Sequence, residues 1–206
     1  MKRVKVYIDG FNLYHAIDEI RPRKNHLKWV DLWGLSQSIL IKDQKLVGVE
    51  YFSAYKKTNL DRLKRHEQYI NALRFRGVSV HMGKFKKKFH RCRLCNSRYE
   101  GWEEKETDVN LAVKLVEDAF TDQFDTAIVI SADTDLLPPI RSVESYFPEK
   151  NPIVIAPPKR MGHCRSMNPK YEIPVGKVTK NLLPQTEKDS EGNTVYVRPT
   201  EYDPPV

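Results

Sequence analysis

The chain has 206 residues, 40% hydrophobic and 30% charged, which supplies one core and excludes a disordered chain. No apolar run approaches the ~18 residues of a membrane span. The basic start lacks the apolar stretch of a secretory signal, and three cysteines cannot close a disulfide framework. A soluble, cytoplasmic protein without a membrane partner is expected, and a formal charge of +8 points to a polyanion.

The charge is uneven. Residues 185–206 hold Glu187, Asp189, Glu191, Glu201 and Asp203 against only Lys188 and Arg198, so 33 basic and 22 acidic residues remain in 1–184, a surplus of 11. The sequence therefore reads as one domain over 1–184 followed by an extended, acidic, Pro-containing tail.

In chain order, the β-branched run at 4–8 predicts a strand ending in Asp9-Gly10, and 11–20 reads as helical. Asp31 caps a helix carrying Leu32, Leu35, Ile39 and Leu40. A strand is expected over 47–55, then a charged helix over 59–76 with Leu60, Leu63, Ile70 and Leu73 inward, stopped by Gly77. After a strand at 78–82, residues 107–120 form an amphipathic helix whose expected inner face is Val109, Ala112, Val113, Val116, Ala119 and Phe120. The apolar run 126–130 is a strand buried on both faces. A helix over 137–145 and a strand over 153–156, stopped by Pro157-Pro158, complete the pattern. Alternating strands and helices predict a three-layer, Rossmann-like α/β domain with a mainly parallel sheet, in which the C-terminal ends of the strands form the ligand edge.

Asp9 ends the first strand, and Ser131, Asp133 and Asp135 follow the buried one, so both groups project from that edge. Asp108 opens the amphipathic helix, and Asn12 lies one turn beyond Asp9. Any one of these could be a cap or turn residue. Converging carboxylates, however, repel one another unless a cation sits between them, and hard oxygen ligands select Mg²⁺ or Mn²⁺. Such an ion supports in-line displacement at phosphorus. A phosphohydrolase of the haloacid-dehalogenase type would want a second Asp two residues after Asp9, where Phe11 stands.

The densest basic run is residues 84–93, with Lys84, Lys86, Lys87, Lys88, Arg91 and Arg93 among the aromatics Phe85 and Phe89. Cations neutralise phosphates and aromatic faces stack on unpaired bases, although a lysine-rich edge strand has the same composition. Within and beside this run, His90, Cys92 and Cys95 form a Cys-x-x-Cys knuckle, and Cys164 follows His163 far along the chain. These four side chains are candidate ligands for a structural Zn²⁺. Two reduced cysteines without metal are the plain alternative.

Residues 7–14 (YIDGFNLY), 104–113 (EKETDVNLAV) and 129–136 (VISADTDL) resemble, in order, the three signature blocks of NYN domains, of the PIN-like nuclease superfamily, across residues 2–156. The resemblance implies a metal-dependent ribonuclease site: Asp9, Asp108 and Asp133 as Mg²⁺ or Mn²⁺ ligands, Asp135 beside them, Asn12 and Ser131 as polar positioning residues, and RNA as the partner. Ala132 stands where relatives commonly have Gly. Lys114 stands where many carry a further acid, which implies a weaker cation site. An RNA-binding or regulatory module that cuts slowly or not at all is the alternative.

Overall fold

The computed structural model describes residues 1–20 and 25–205. Strand β1 (Lys2–Asp9) pairs in parallel with β2 (Gln44–Ala54) on one side and β5 (Thr126–Ile130) on the other. Beyond β2 come β3 (Ser79–Arg91) and β4 (Arg98–Lys105), and beyond β5 come β6 (Asn151–Ala156) and β7 (Tyr171–Glu172). The seven-stranded sheet runs β4-β3-β2-β1-β5-β6-β7, parallel throughout except where β3 meets β4. This mixed α/β fold with a large, mostly parallel sheet is compatible with a Rossmann-like layout. The chain builds outward from β1 in one direction and then from β5 in the other, so strand order reverses between them. A crevice opens at the C-terminal ends of strands at such a switch point.

The period-two alternation of strand side chains separates two buried clusters. Val4, Val6, Ile8, Ile128 and Ile130 lie with Leu13 and Ile17 of α1 (Gly10–Asp18), Leu32 and Leu35 of α2 (Leu32–Ser38), and Ile70 and Leu73 of α3 (Leu60–Phe75). Tyr7, Phe52, Ala127 and Val129 lie with Leu111 and Leu115 of α4 (Thr107–Phe120), and with Ile140 and Val143 of α5 (Leu137–Tyr146). Capping follows the sequence: the Asp31 carboxylate accepts from the Gly34 N–H, and Gly77 takes a positive φ of 86° after α3. Leu60, expected inward, is exposed on the first turn of α3.

Helix α4 is turned relative to the face expected from its valines. Leu111, Leu115, Asp118 and Ala119 are buried, whereas Val109, Val113 and Phe120 are exposed. The rotation places Asp118 under the sheet, where it accepts from the Tyr7 hydroxyl at 2.8 Å and pairs with Lys5 at 2.8 Å and Lys114 at 2.9 Å. Lys5 also reaches Glu50 at 2.9 Å, and Glu50 holds His81 at 2.6 Å. Burial opposes ionisation of Asp118, but the bonds from Lys5, Lys114 and Tyr7 outweigh it and hold the carboxyl below its usual range. A satisfied ionic network can occupy a position that hydropathy assigns to an apolar residue.

The acidic C-terminal stretch does not extend away from the domain. It forms a hairpin of β8 (Thr186–Lys188) and β9 (Thr194–Val197), with α6 (Val175–Lys180) preceding it. Tyr196 packs edge-on to the buried Trp29 at 5.9 Å, and Tyr202 stacks on the same indole at 6.0 Å. Arg65–Glu201 and Arg198–Asp203 ion pairs fasten the end. Two tyrosines thus supply the anchoring that average composition concealed. Tyr196 is 4% exposed and its hydroxyl has no partner among the described residues. Tyr196→Ala is therefore expected to lower stability by about 3 kcal/mol, and Tyr196→Phe to leave it unchanged or raise it, as read by urea unfolding.

His66 of α3 lies against Tyr55 at 5.0 Å, with Ser53 Oγ 3.4 Å from its Nε2. Burial depresses its pKa from 6.5 to about 4. The unfolded chain then binds the extra proton first, so stability falls as pH drops from about 6.5 towards 4, by at most roughly 3 kcal/mol. Thermal unfolding across that window should show the loss, and His66→Gln should flatten it.

Candidate active site at the switch point

Because Ile8 and Ile130 are register partners, the residues that follow them, Asp9 and Ser131, meet at the sheet edge. Asp9 is 2% exposed and caps α1. Its Oδ1 accepts from the Asn12 N–H at 3.0 Å, and its Oδ2 accepts from Asn12 Nδ2 and Ser131 Oγ, both at 2.8 Å. The Ser131 hydroxyl oxygen in turn accepts from the Asp133 N–H at 3.0 Å, and the Ala132 N–H donates to Asn12 Oδ1 at 3.3 Å. Five residues, from the β1–α1 junction and the loop after β5, are thereby knitted into one unit. Gly10 is required here, since a Cβ would come within 2.5 Å of the Phe52 carbonyl oxygen.

Helix α4 brings Asp108 to the same edge. It starts after Glu106, whose φ is 79°, and the Glu104 carboxylate accepts from the Thr107 N–H at 3.1 Å. Burial, then the charges of Asp9, Glu104, Asp133 and Asp135, push the Asp108 pKa up to about 6. Asp9 is also raised: burial is the largest cause, partly offset by the Asn12 and Ser131 bonds, and the Asp133 charge adds to it. Asp135 is exposed, and its N–H donates to Asp133 Oδ1 at 2.9 Å. The structure thus brings Asp9, Asn12, Asp108, Ser131, Asp133 and Asp135 into one neighbourhood, with Glu104 joining them.

Among the described residues, no three His, Cys, Asp or Glu side chains are grouped closely enough to hold a metal by themselves. The uncompensated carboxylates fit a hydrated divalent cation of the Mg²⁺ type, which is bound through one or two carboxylates and keeps several waters. Lys114 does not supply the compensation, since its ammonium is engaged by Asp118 and Glu117.

Two residues of the site escaped the sequence. An open cleft of about 300 Å³ is lined by Asn12, Ala132, Asp133, Thr134, Arg160 and His163. Arg160 Nη1 lies 3.0 Å from His163 Nδ1, and its Nη2 pairs with Glu19 at 2.5 Å. Both residues lie on the loop after β6, the strand next to β5. The only available signal was that a third parallel strand had to deliver its C-terminal loop to the same edge.

The basic run lies in an arm rather than a loop. Within β3, residues 79–83 pair with β2, and residues 84–91 continue outward to pair with β4. Gly83 marks the crossing, where a Cβ would meet the Lys105 carbonyl oxygen at 2.6 Å. Lys84 pairs with Glu106, Lys88 with Glu103 at 3.0 Å, and Lys87 with Glu100 at 2.6 Å. Half of the predicted phosphate-gripping cations are thus paired within the arm. Lys86, Arg91 and Arg93 have no ion-pair partner among the described residues.

One face of the arm carries Phe85, Lys87, Phe89 and Arg91 with Glu104, Trp102, Glu100 and Arg98 opposite. Phe85 meets Phe11, two residues past Asp9, at 5.7 Å, with Lys56 over its ring. Arg98 lies 4.5 Å from the Phe89 ring centre and directly opposite Arg91. Like charges facing each other are unfavourable without an anion. A stripe of aromatic and cationic side chains, with Glu104 and Glu100 set among them, therefore runs from the acid cluster to the arm's end.

The four candidate zinc ligands are not brought together. Cys92 and Cys95 lie in the turn at the end of the arm, and His90 stacks on Tyr99. Cys164 is buried in the cluster with Tyr7, its thiol donating to the Arg160 carbonyl. The single-chain set is separated because Cys164 belongs to the core and the knuckle to the arm.

A protein of unknown function from Vibrio parahaemolyticus has a similar crystal structure, with a TM-score of 0.55 and 17% identity over 88% of this chain and 96% of that one. The 6-hydroxy-3-succinoylpyridine 3-monooxygenase of Pseudomonas putida is 25% identical over 81% of this chain. The match spans 62% of that relative's length. No helix among the described residues is long and apolar enough to cross a membrane. The NYN domain family model matches residues 3–165, the span that holds Asp9, Asp108, Asp133 and the cleft beside them, and the chain belongs to the NYN domain family.

Proposed function

We propose that the protein is a cytoplasmic, metal-dependent ribonuclease that hydrolyses phosphodiester bonds in single-stranded RNA. The observation that carries this reading is the buried Asp9 carboxylate, joined through Ser131 to Asp133 and facing an Asp108 whose ionisation is opposed by its neighbours. The two buried clusters on opposite sides of the sheet support a three-layer, Rossmann-like domain.

Asp9, Asp108 and Asp133 would hold Mg²⁺ or Mn²⁺, with Asp135 and Glu104 adding negative potential. A cation bound there supplies a nucleophile at neutral pH and charge neutralisation at the leaving oxygen. The chain's own residues do the positioning. Asn12 and Ser131 fix both oxygens of Asp9. Arg160, held by Glu19, offers a guanidinium to phosphate oxygens across the cleft. Its contact with His163 Nδ1 leaves Nε2–H as the donor of that ring. The stripe from Phe85 to Arg91 holds the strand by stacking and phosphate contact.

The polar cleft lining suits a phosphodiester better than the pyridine ring named for the Pseudomonas relative. The lack of three closely grouped ligands among the described residues favours, as second reading, an RNA-binding module that cuts slowly. Incubating the protein with labelled single-stranded RNA and Mn²⁺ or EDTA separates the two. Products that require the cation support the ribonuclease. Tight, salt-sensitive binding without product selects the module, and neither binding nor product sinks both.

A further inference from the structure

We propose that Cys92 and Cys95 are half of a tetrahedral zinc site, completed by the same two cysteines of a second copy of this chain. The turn that carries them is closed by its own backbone. The Cys92 N–H donates to the Ser97 carbonyl and the Asn96 N–H to the Cys92 carbonyl, each at 2.9 Å, with Asn96 at a φ of 59°. The arm therefore presents a preformed Cys-x-x-Cys knuckle, a spacing that suits two thiolates on one zinc.

Zinc of this kind takes four ligands, and the chain offers no third at the knuckle. Cys164 is fully buried in the core. His90 is stacked on Tyr99 and lies so close to Gly101 that a Cβ there would come within 2.6 Å of its ring. No third His, Cys, Asp or Glu joins the two cysteines among the described residues. The remaining ligands must come from outside, and the geometry favours an identical arm. Residues 93–100 are all exposed, and Leu94, between the two cysteines, is 99% exposed. Two knuckles related by a twofold axis through the metal would bring four thiolates together and cover each Leu94 with its mate, an isologous contact.

The metal centre also offsets part of the repulsion between the two basic tips. Four thiolates on Zn²⁺ leave a doubly negative centre, and Arg91, Arg93 and Arg98 surround the turn on each copy. Without the metal those arginines would repel. Two arm tips also bury far less than the ~1,000 Å² that a stable interface needs, so association should depend wholly on zinc.

The test uses the full chain, free of RNA and kept reduced with a phosphine, in sedimentation velocity. In EDTA a monomer is expected, and about 0.5 equivalent of Zn²⁺ per chain should double the sedimenting mass. Co²⁺ in place of Zn²⁺ should give tetrahedral d–d bands and thiolate charge-transfer absorption. Cys92→Ser with Cys95→Ser should stay monomeric in zinc with an unchanged unfolding transition, because the turn is exposed. One zinc per monomeric chain, no zinc binding, dimers that persist in EDTA, or zinc-dependent dimers of the double variant would each overturn the proposal. None of these readouts depends on ribonuclease activity.

Discussion

Replacing Asp9 and Asp133 together with asparagine is expected to lower divalent-dependent cleavage of single-stranded RNA by on the order of 10³-fold or more, since a bound cation contributes several kcal/mol to such a transition state. Asparagine keeps the volume of each side chain, and its carbonyl oxygen can still accept from Ser131 Oγ at the first site or the Asp135 N–H at the second. The unfolding transition should therefore remain cooperative. RNA affinity should hold or rise, because two negative charges leave the neighbourhood of the bound polyanion. Ser131→Ala removes the hydroxyl that joins the Asp9 carboxylate to the Asp133 backbone N–H and should cost roughly 10- to 100-fold, as outer-shell changes do. The comparison is made on labelled RNA in Mn²⁺, with variant and wild type purified in parallel. Equal residual activity in both would assign the cleavage to a contaminant.

The acid cluster was legible because two local signals coincide. A short apolar strand ending in Asp-Gly and a fully apolar strand ending in Ser-Ala-Asp-Thr-Asp can be placed at one edge from pattern alone. The register of β1 against β5 then makes Asp9 and Ser131 neighbours. What stayed illegible depended on partners distant in sequence. The inner face of α4 includes Asp118, whose burial makes sense only once Lys5 and Tyr7 are known to lie beneath it. Arg160 and His163 reach the cleft because β6 lies next to β5, not because of anything in their own segment. The lysines of the arm look free until the turn at 92–97 brings Glu100 and Glu103 onto the neighbouring strand, within reach of Lys87 and Lys88. The C-terminal stretch reads as tail by average composition, although two tyrosines packed on Trp29 suffice to hold it.

The register of the arm also separates its two faces by their effect on RNA. On the face with Lys84, Lys86 and Lys88, glutamates engage Lys84 and Lys88, and Glu103 also reaches Lys105. On the other, Glu100 engages Lys87, but Phe89 and Trp102 are 51% and 42% exposed, and Arg91 faces Arg98 without an acid partner for either among the described residues. Stacking contributes roughly 1–3 kcal/mol per base, so Phe89→Ala with Trp102→Ala should weaken single-stranded RNA binding by about 30-fold or more. Arg91→Gln with Arg98→Gln should instead act through the phosphates. Each lost contact reduces the slope of log affinity against log salt by about 0.7, so the pair should flatten it by about 1.4. Lys84→Gln with Lys88→Gln should leave the slope almost unchanged, since each lysine already has an acid partner. Fluorescence anisotropy with a labelled oligoribonucleotide from 50 to 200 mM KCl, values chosen to give roughly a fourfold salt range, measures all three pairs. A slope that flattens equally for lysine and arginine pairs would mean that the whole arm acts as one diffuse positive charge. Loss of binding in the aromatic pair with cleavage retained at saturating RNA would place the stripe in substrate capture and the carboxylates in the chemistry.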